Sequence, residues 1–236
     1  MKSLICALVA VSMIGSIPAM AVTYTDATGE IDPGISNGGG TLDIVSMEVV
    51  NTLSDITFTL TLNGDITATD WGNFMVGIAN QNAAGTTTGN AWARPINLDA
   101  GGGNGMTHWI GSWVNAGGGS QLWDYTGTWN GPGVLSGFSL VAGAQSTIAY
   151  TATLASLGLS VGDTFAFDAY TSGGGGTDSA VDSLSNPNTS ITAWGQTYNS
   201  DGATGLSSYT VVPEPTSVAL FGMGALLMSR FIRRRK

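Results

Sequence analysis

The chain is nearly devoid of cysteine, histidine and positive charge, and each shortage excludes a class of function. Its 236 residues contain one cysteine, Cys6, and one histidine, His108. A zinc site needs three or four ligands of these two types, so the chain cannot supply one. Because no cysteine follows Cys6, the rest of the chain has neither disulfides nor thiolate chemistry.

Positive charge is confined almost entirely to the two ends of the chain. Of the seven Lys and Arg residues, Lys2 lies at the start and five lie beyond position 229, which leaves Arg94 as the one cation of residues 22–212. The same stretch holds fifteen of the sixteen acids, giving it a net charge of −14. Such an acidic surface repels phosphate, so the sequence excludes nucleic acid as a partner.

The first residues have the pattern of a signal peptide. Lys2 supplies a positive start, and an apolar run covers residues 4–14. Ala19 and Ala21 then form a small-residue cleavage site. Cleavage after Ala21 removes residues 1–21, including Cys6, and indicates export.

The C-terminal end carries a second targeting pattern. Pro213, Glu214 and Pro215 precede an apolar run at residues 216–232. As a helix this run is about 25 Å long, at the short end of what crosses a bilayer. Basic residues keep their end of such a helix in the cytoplasm, so everything before Pro213 is expected outside. The basic residues are Arg230, Arg233, Arg234, Arg235 and Lys236.

This order of Pro-Glu-Pro, apolar helix and terminal arginines resembles the PEP-CTERM sorting signal of Gram-negative and related bacteria. The resemblance covers residues 213–236. It implies recognition by an exosortase-type membrane protease, removal of the tail, and delivery to the cell surface or extracellular matrix. A plain C-terminal membrane anchor is the alternative, although an anchor has no need of Pro-Glu-Pro at its entry.

Residues 22–212 have the composition of one all-β domain. Gly, Thr, Ser and Asn are abundant while Lys and Glu are almost missing, so helix propensity is poor. Residues 56–63 show strict alternation, with Ile56, Phe58 and Leu60 on one face. About ten such short strands, separated by turn signals, predict an antiparallel β-sandwich of jelly-roll type. The predicted strands include residues 41–50, 56–63, 74–78, 106–114, 121–129, 136–141, 146–153, 164–170, 191–198 and 206–212, with a helical turn at 154–159.

A second, shorter resemblance lies at residues 149–169. This stretch is a strand, a Leu-Ala-Ser-Leu-Gly-Leu turn, Val-Gly-Asp and then Thr-Phe-Ala-Phe-Asp. It is similar to the later strands of jelly-roll carbohydrate-binding modules and their DOMON-type relatives. The likeness carries no ligand motif, so it supports a sandwich without assigning a sugar.

Tryptophans are concentrated in the middle of the chain, at positions 92, 109, 113, 123 and 129. Aromatic faces stack on the apolar faces of sugars, and Trp is also the best platform for cations. Residues 106–129 are predicted to form a hairpin, so we expect Trp109 and Trp123 to form a sugar-binding face beside Trp92 and Arg94. Two alternatives stay open: the tryptophans fill the core, and Arg94 pairs with a loop aspartate such as Asp99.

Catalysis is poorly supported by the sequence, which predicts no enzyme and no catalytic residue. No Gly-x-Ser-x-Gly elbow is present, and His108 is interpreted as a structural hydrogen-bonding residue. Asp163 with Asp168, or Asp178 with Asp182, could pair as in a glycosidase, but aspartates are also common in turns. No cofactor is predicted. The Asp- and Asn-rich loops leave an irregular calcium site open, with no residues assigned to it.

These observations together predict an exported, non-catalytic, polysaccharide-binding β-sandwich that is anchored in the membrane until its tail is processed. Two other classes of function remain. One is a structural or adhesive matrix protein without a defined sugar ligand, and the other is a glycoside hydrolase.

Overall fold

The described part of the chain is built from strands. The computed structural model describes residues 21–201 and 205–213. The predicted signal peptide up to residue 20, the sorting signal from Glu214 onward and the predicted membrane helix at 216–232 lie outside these ranges. Within them we find fourteen strands, three 3-10 turns and no α-helix, and none of these turns could span a membrane. The predicted all-β class is therefore confirmed for the described residues.

The fourteen strands are short, at two to nine residues each. In chain order they are β1 (Val22–Thr25), β2 (Ile44–Asn51), β3 (Asp55–Leu62), β4 (Asn73–Asn80), β5 (Ile96–Asp99), β6 (His108–Trp113), β7 (Gly119–Tyr125), β8 (Trp129–Gly133), β9 (Gly137–Val141), β10 (Ser146–Thr153), β11 (Thr164–Ser172), β12 (Asp182–Ser183), β13 (Tyr198–Asp201) and β14 (Ser207–Thr210). The 3-10 turns are Gly38–Gly40, Asn115–Gly117 and Ala155–Leu157.

Two antiparallel sheets make up the body of the domain. The first sheet has the order β1-β2-β3-β10-β9. The second has the order β12-β11-β4-β6-β7-β8, and β14 pairs with the first half of β11. Strand β3 shows the predicted alternation, because its four apolar residues are fully buried while the threonines between them are half-buried.

The core lies between the facing sides of these sheets. From the first sheet, Phe58 meets Phe165 and Phe167 of the second sheet edge-on, with ring centroids 6.1 and 5.9 Å apart. Deeper in, Ser112 and Tyr150 join the two sheets through a hydroxyl–hydroxyl hydrogen bond of 2.8 Å. The arrangement is sandwich-like, as predicted, whereas similarity to jelly-roll modules stays a prediction.

The outer face of the second sheet is also covered. Strands β5 and β13 form a small parallel pair, and the Tyr170 hydroxyl of β11 lies 3.0 Å from Ser200 Oγ of β13. As a result β4 and β11 are buried on both faces, which explains their nearly continuous apolar sequences. This extra layer positions the site described below.

The strand predictions failed in two places. Residues 121–129 were expected to form one strand, but β7 ends at Tyr125 and Trp129 begins β8. Residues 191–198 were expected to form a strand, but the chain makes turns there and enters β13 only at Tyr198. Thr192 uses its backbone N–H and its hydroxyl to bind the Gln196 side chain, a local turn that competes with strand pairing. The helical turn expected at 154–159 is confirmed as the 3-10 turn Ala155–Leu157.

Candidate functional site

A groove of ≈ 750 Å³ lies on the outer face of the second sheet. Three half-buried tryptophans, Trp71, Trp92 and Trp113, line it. The remaining lining residues are small or polar: Asp70, Asn73, Arg94, Asn115, Gln121, Gly174 and Gly176. Aromatic walls with a few polar groups are typical of ligand sites.

Two strand glycines make room for the indole rings. A Cβ atom on Gly111 would lie 2.2 Å from Trp92 Cζ2, and one on Gly119 would lie 2.3 Å from Trp113 Cζ2. Glycine inside a strand weakens it but permits such close approach. Glycine at these two positions therefore allows the indole rings to lie directly against the sheet.

Two amide side chains in the groove are held in fixed orientations. Gln121 Oε1 accepts hydrogen bonds from the indole N–H groups of Trp92 and Trp123, at 2.9 and 3.1 Å. Because an indole N–H only donates, the carbonyl end of Gln121 is fixed and its NH₂ remains as a donor. Asn73 donates from Nδ2 to the carbonyls of Trp71 and Gly173, at 3.1 and 2.7 Å, which leaves its Oδ1 as an acceptor.

Arg94 is a wall residue of the groove and is 6% exposed. Its Nη1 donates to Ser172 Oγ at 2.7 Å and to the Asp178 carbonyl at 3.0 Å, and its Cζ lies 5.7 Å from the Trp92 ring centroid. Burial lowers the pKa of Arg94, and the charge of Asp178 opposes this shift. The loop aspartate whose charge acts on Arg94 is therefore Asp178, while Asp99 accepts from the Gly101 N–H at 2.8 Å.

The predicted hairpin is present, but its tryptophans have different surroundings. Trp109 and Trp123 are paired residues of β6 and β7. Trp109 is fully buried, stacked on Tyr170 with centroids 5.9 Å apart, and its edge meets Trp92. Its face is therefore not available to a sugar, and the core alternative describes this residue. Trp123 is half-buried and does not line the groove, but its indole N–H donates to Gln121, which does.

The structure thus places Trp92 and Arg94 at one groove, together with Trp71 and Trp113. Sequence reasoning missed Trp71, which lies twenty-one positions before Trp92 and outside the predicted hairpin. No local sequence pattern singles it out. Tertiary contact with Trp194, at 6.4 Å between centroids, holds Trp71 in place.

Asp168 is the centre of a buried polar network next to Tyr170. Its Oδ2 accepts hydrogen bonds from the hydroxyls of Ser183 and Ser185, at 2.6 and 2.7 Å, and from that of Ser200. Its Oδ1 accepts from the N–H groups of Ala169 and Ser185. Burial raises the pKa of Asp168, and these donors act against that shift. The network joins β11 to residues 183–185 and to β13.

Asp163, the expected glycosidase partner of Asp168, lies in the turn before β11. Its Oδ2 accepts from the Ser160 N–H at 2.8 Å, a local bond of the kind that favours Asp in turns. The other candidate pair is similarly engaged, since Asp178 Oδ2 accepts from Gly175 N–H and Asp182 Oδ2 accepts from Ile44 N–H.

His108, the single histidine, is buried, with Nδ1 3.0 Å from Thr107 Oγ1. Burial lowers its pKa to about 4, against an opposing effect from the charge of Asp124. The folded state therefore keeps the imidazole neutral while the unfolded chain takes up a proton near pH 6.5. Stability present above pH 6.5 should be lost as the pH falls toward 4, by about 2 to 3 kcal/mol.

Urea unfolding at about pH 7 and about pH 4.5 checks this, with His108→Gln as the comparison. The buried aspartates have raised pKa values, so their contribution to stability increases as the pH falls. This contribution is the same in wild type and variant, so it cancels when the two proteins are compared. An equal pH dependence in wild type and variant would contradict the prediction.

The last residues that the structure describes, 211–213, end in an exposed proline. Val211 is buried, and Val212 is held by Asn51, which accepts from the Val212 N–H at 3.0 Å and donates to the Val212 carbonyl at 2.8 Å. Pro213 is exposed. Val211 and Val212 thus belong to the domain, and the predicted tail begins directly after them.

Comparison with known proteins bears on this tail. No curated protein matches the chain. Residues 211–236 match the family model of the PEP-CTERM protein-sorting motif. Signals of this kind are recognised by exosortase, a membrane protease. The chain therefore carries a PEP-CTERM sorting signal at residues 211–236, which implies an exported, exosortase-processed protein with a surface or extracellular location.

Proposed function

We propose that the exported domain is a non-catalytic polysaccharide-binding module whose ligand lies in the groove between Trp71, Trp92 and Trp113. The observation that carries the proposal is three half-buried indoles around one groove of ≈ 750 Å³. Indole faces cover the apolar faces of sugar rings, and the oriented amides of Gln121 and Asn73 supply a donor and an acceptor for hydroxyl groups.

A neutral polysaccharide fits this groove better than an acidic one. The groove's cation, Arg94, is already bound to Ser172 and Asp178 and is largely buried. The carboxylate of Asp70 is exposed at the groove, and the domain around it has a net charge of −14. These charges repel uronate groups and still accept hydrogen bonds from sugar hydroxyls.

Trp92→Ala is expected to weaken binding to immobilised polysaccharide from the extracellular matrix of the producing cells by tenfold or more, because a central Trp contributes roughly 2 kcal/mol to binding. Trp71→Ala should weaken binding to a similar degree. This variant leaves the contact between Trp92 and the buried Trp109 in place. The matched control is Trp129→Ala. Trp129 is also half-buried, but it packs on Tyr125 and does not line the groove.

Retention should saturate and should be competed by soluble oligosaccharides from the same polymer, with neutral fractions competing better than acidic ones. Equal retention of Trp92→Ala, Trp71→Ala and wild type would rule out the groove. Lack of saturable retention by the wild type would favour a structural or adhesive matrix protein. Release of new reducing ends during incubation would contradict a non-catalytic role.

A further inference from the structure

Three carboxyl groups converge outside the groove, and a fourth lies beside them. Asp26 and Glu30 belong to the arm that follows β1, Asp43 precedes β2, and Asp182 belongs to β12. One carboxylate oxygen from each of Asp26, Glu30 and Asp182 lies within 4.8 Å of the other two. Asp43 adjoins them, because its Oδ2 accepts from the Gly29 N–H of the same arm at 3.1 Å.

Several of these oxygens are buried without a hydrogen-bond partner. They are both oxygens of Glu30, Oδ2 of Asp26 and Oδ1 of Asp43. Asp43 is only 2% exposed, and the arm and Asn63 occupy its other oxygen. Buried carboxylate oxygens in native proteins are almost always paired with a donor or a cation. The cluster therefore lacks a positive component.

The described chain offers no cation that could supply it. Arg94 is the single Lys or Arg in residues 21–201 and 205–213, and it is bound to Ser172 and Asp178. Burial, followed by the charges of Glu30, Asp168 and Asp43, raises the pKa of Asp26 to about 8. Burial, the charges of Asp26 and Glu30, and a side-chain hydrogen bond that protonated Asp182 makes with Glu30 also raise the pKa of Asp182. Negative charge is thus crowded here, and a divalent ion would relieve it.

We propose that Asp26, Glu30, Asp43 and Asp182 bind one calcium ion. Calcium takes six to eight oxygen ligands in flexible geometry, so an irregular set of carboxylates from three chain segments suits it better than magnesium, which demands a near-ideal octahedron. An exported protein also meets calcium at concentrations that weak extracellular sites require.

The ion would fasten three parts of the fold that are distant in sequence. The arm follows the edge strand β1 of the first sheet, and β12 is the edge strand of the second. These parts already touch where the Ile44 N–H donates to Asp182 Oδ2 at 2.6 Å. Since no cysteine follows Cys6, calcium would provide the cross-link that a disulfide provides in other exported domains.

The test is calcium titration of the full-length chain after chelator treatment, with calorimetry for stoichiometry and thermal unfolding for stability. We expect one calcium ion per chain and a rise in Tm of about 3 to 10 °C at saturating calcium. Glu30→Gln should weaken binding at least tenfold and abolish the rise in Tm. Glu48→Gln, which removes the same charge from an exposed position on β2, should change neither.

Failure of Glu30→Gln to fold would not prevent the test, because the wild-type stoichiometry can be measured by equilibrium dialysis and elemental analysis. Absence of saturable binding by the wild type would overturn the proposal. The same rise in Tm with magnesium or with sodium chloride of equal ionic strength would overturn the assignment to calcium. Equal losses in Glu30→Gln and Glu48→Gln would show that the effect is general screening of an acidic protein.

Discussion

Alanine in place of Trp109 is expected to lower the free energy of unfolding by about 3–5 kcal/mol. Trp109 of β6 is fully buried on the outer face of the second sheet, between Tyr170 and Trp92. Removal of the indole leaves a cavity beside Tyr170, which is fixed on β11, so the surroundings relax only in part. The measurement is the midpoint and slope of urea or guanidinium unfolding of the variant and wild type.

Trp109→Phe is the matched variant. The indole Nε1 of Trp109 is buried without a hydrogen-bond partner, so phenylalanine keeps an aromatic ring against Tyr170 and removes an unsatisfied donor. We expect it to cost less than half as much as alanine. The contrary result is that Trp109→Ala lowers the free energy of unfolding by less than about 1 kcal/mol and abolishes polysaccharide retention. That result would show that Trp109 contacts the ligand and would contradict its assignment to the core.

Asp168→Ala should also destabilise the domain by about 3–5 kcal/mol, because it leaves several buried donors without an acceptor. The hydroxyls of Ser183, Ser185 and Ser200 and two backbone N–H groups all point to this carboxylate. The loss should appear as a lower unfolding midpoint with an unchanged slope, measured as for Trp109.

Two milder variants make the interpretation specific. Asp168→Asn keeps the shape and one acceptor oxygen, so it should cost less than alanine, and Ser200→Ala removes one donor and should cost about 1 kcal/mol. If Asp168 instead had a catalytic role, Asp168→Asn would abolish an activity while leaving the unfolding midpoint nearly unchanged. That result would contradict the structural assignment.

Local pattern was sufficient for much of the fold. The alternation in residues 56–63 predicted β3, with the correct buried face, because one side of that strand packs on the core and the other does not. The aromatic hairpin of β6 and β7 was predicted for the same reason, and Trp109 faces Trp123 across it. The strand predicted at residues 191–198 failed because apolar content there serves isolated buried positions such as Ile191 between turns.

The candidate groove was predicted only in part. Trp92 and Arg94 were selected because they are an aromatic residue and a lone cation close together in sequence, and both line the groove. Trp71 and Trp113 join them through pairing of β4 with β6, where Asn73 lies opposite Trp113. Such pairing brings together residues about forty positions apart, which no local pattern reveals.

The sequence by itself determined the strand-forming composition, the absence of cysteine chemistry and the sorting signal at the C-terminal end, because each of these depends on neighbouring residues or on simple counts. Only the tertiary structure decided which tryptophans are buried and which carboxylates meet. Trp109 is covered because the fold brings Tyr170 of β11 and Trp92 of a loop against it. Asp26, Glu30 and Asp182 converge, with Asp43 beside them, because the edges of two sheets meet. Burial and electrostatic crowding depend on such distant segments, and period and composition do not encode them.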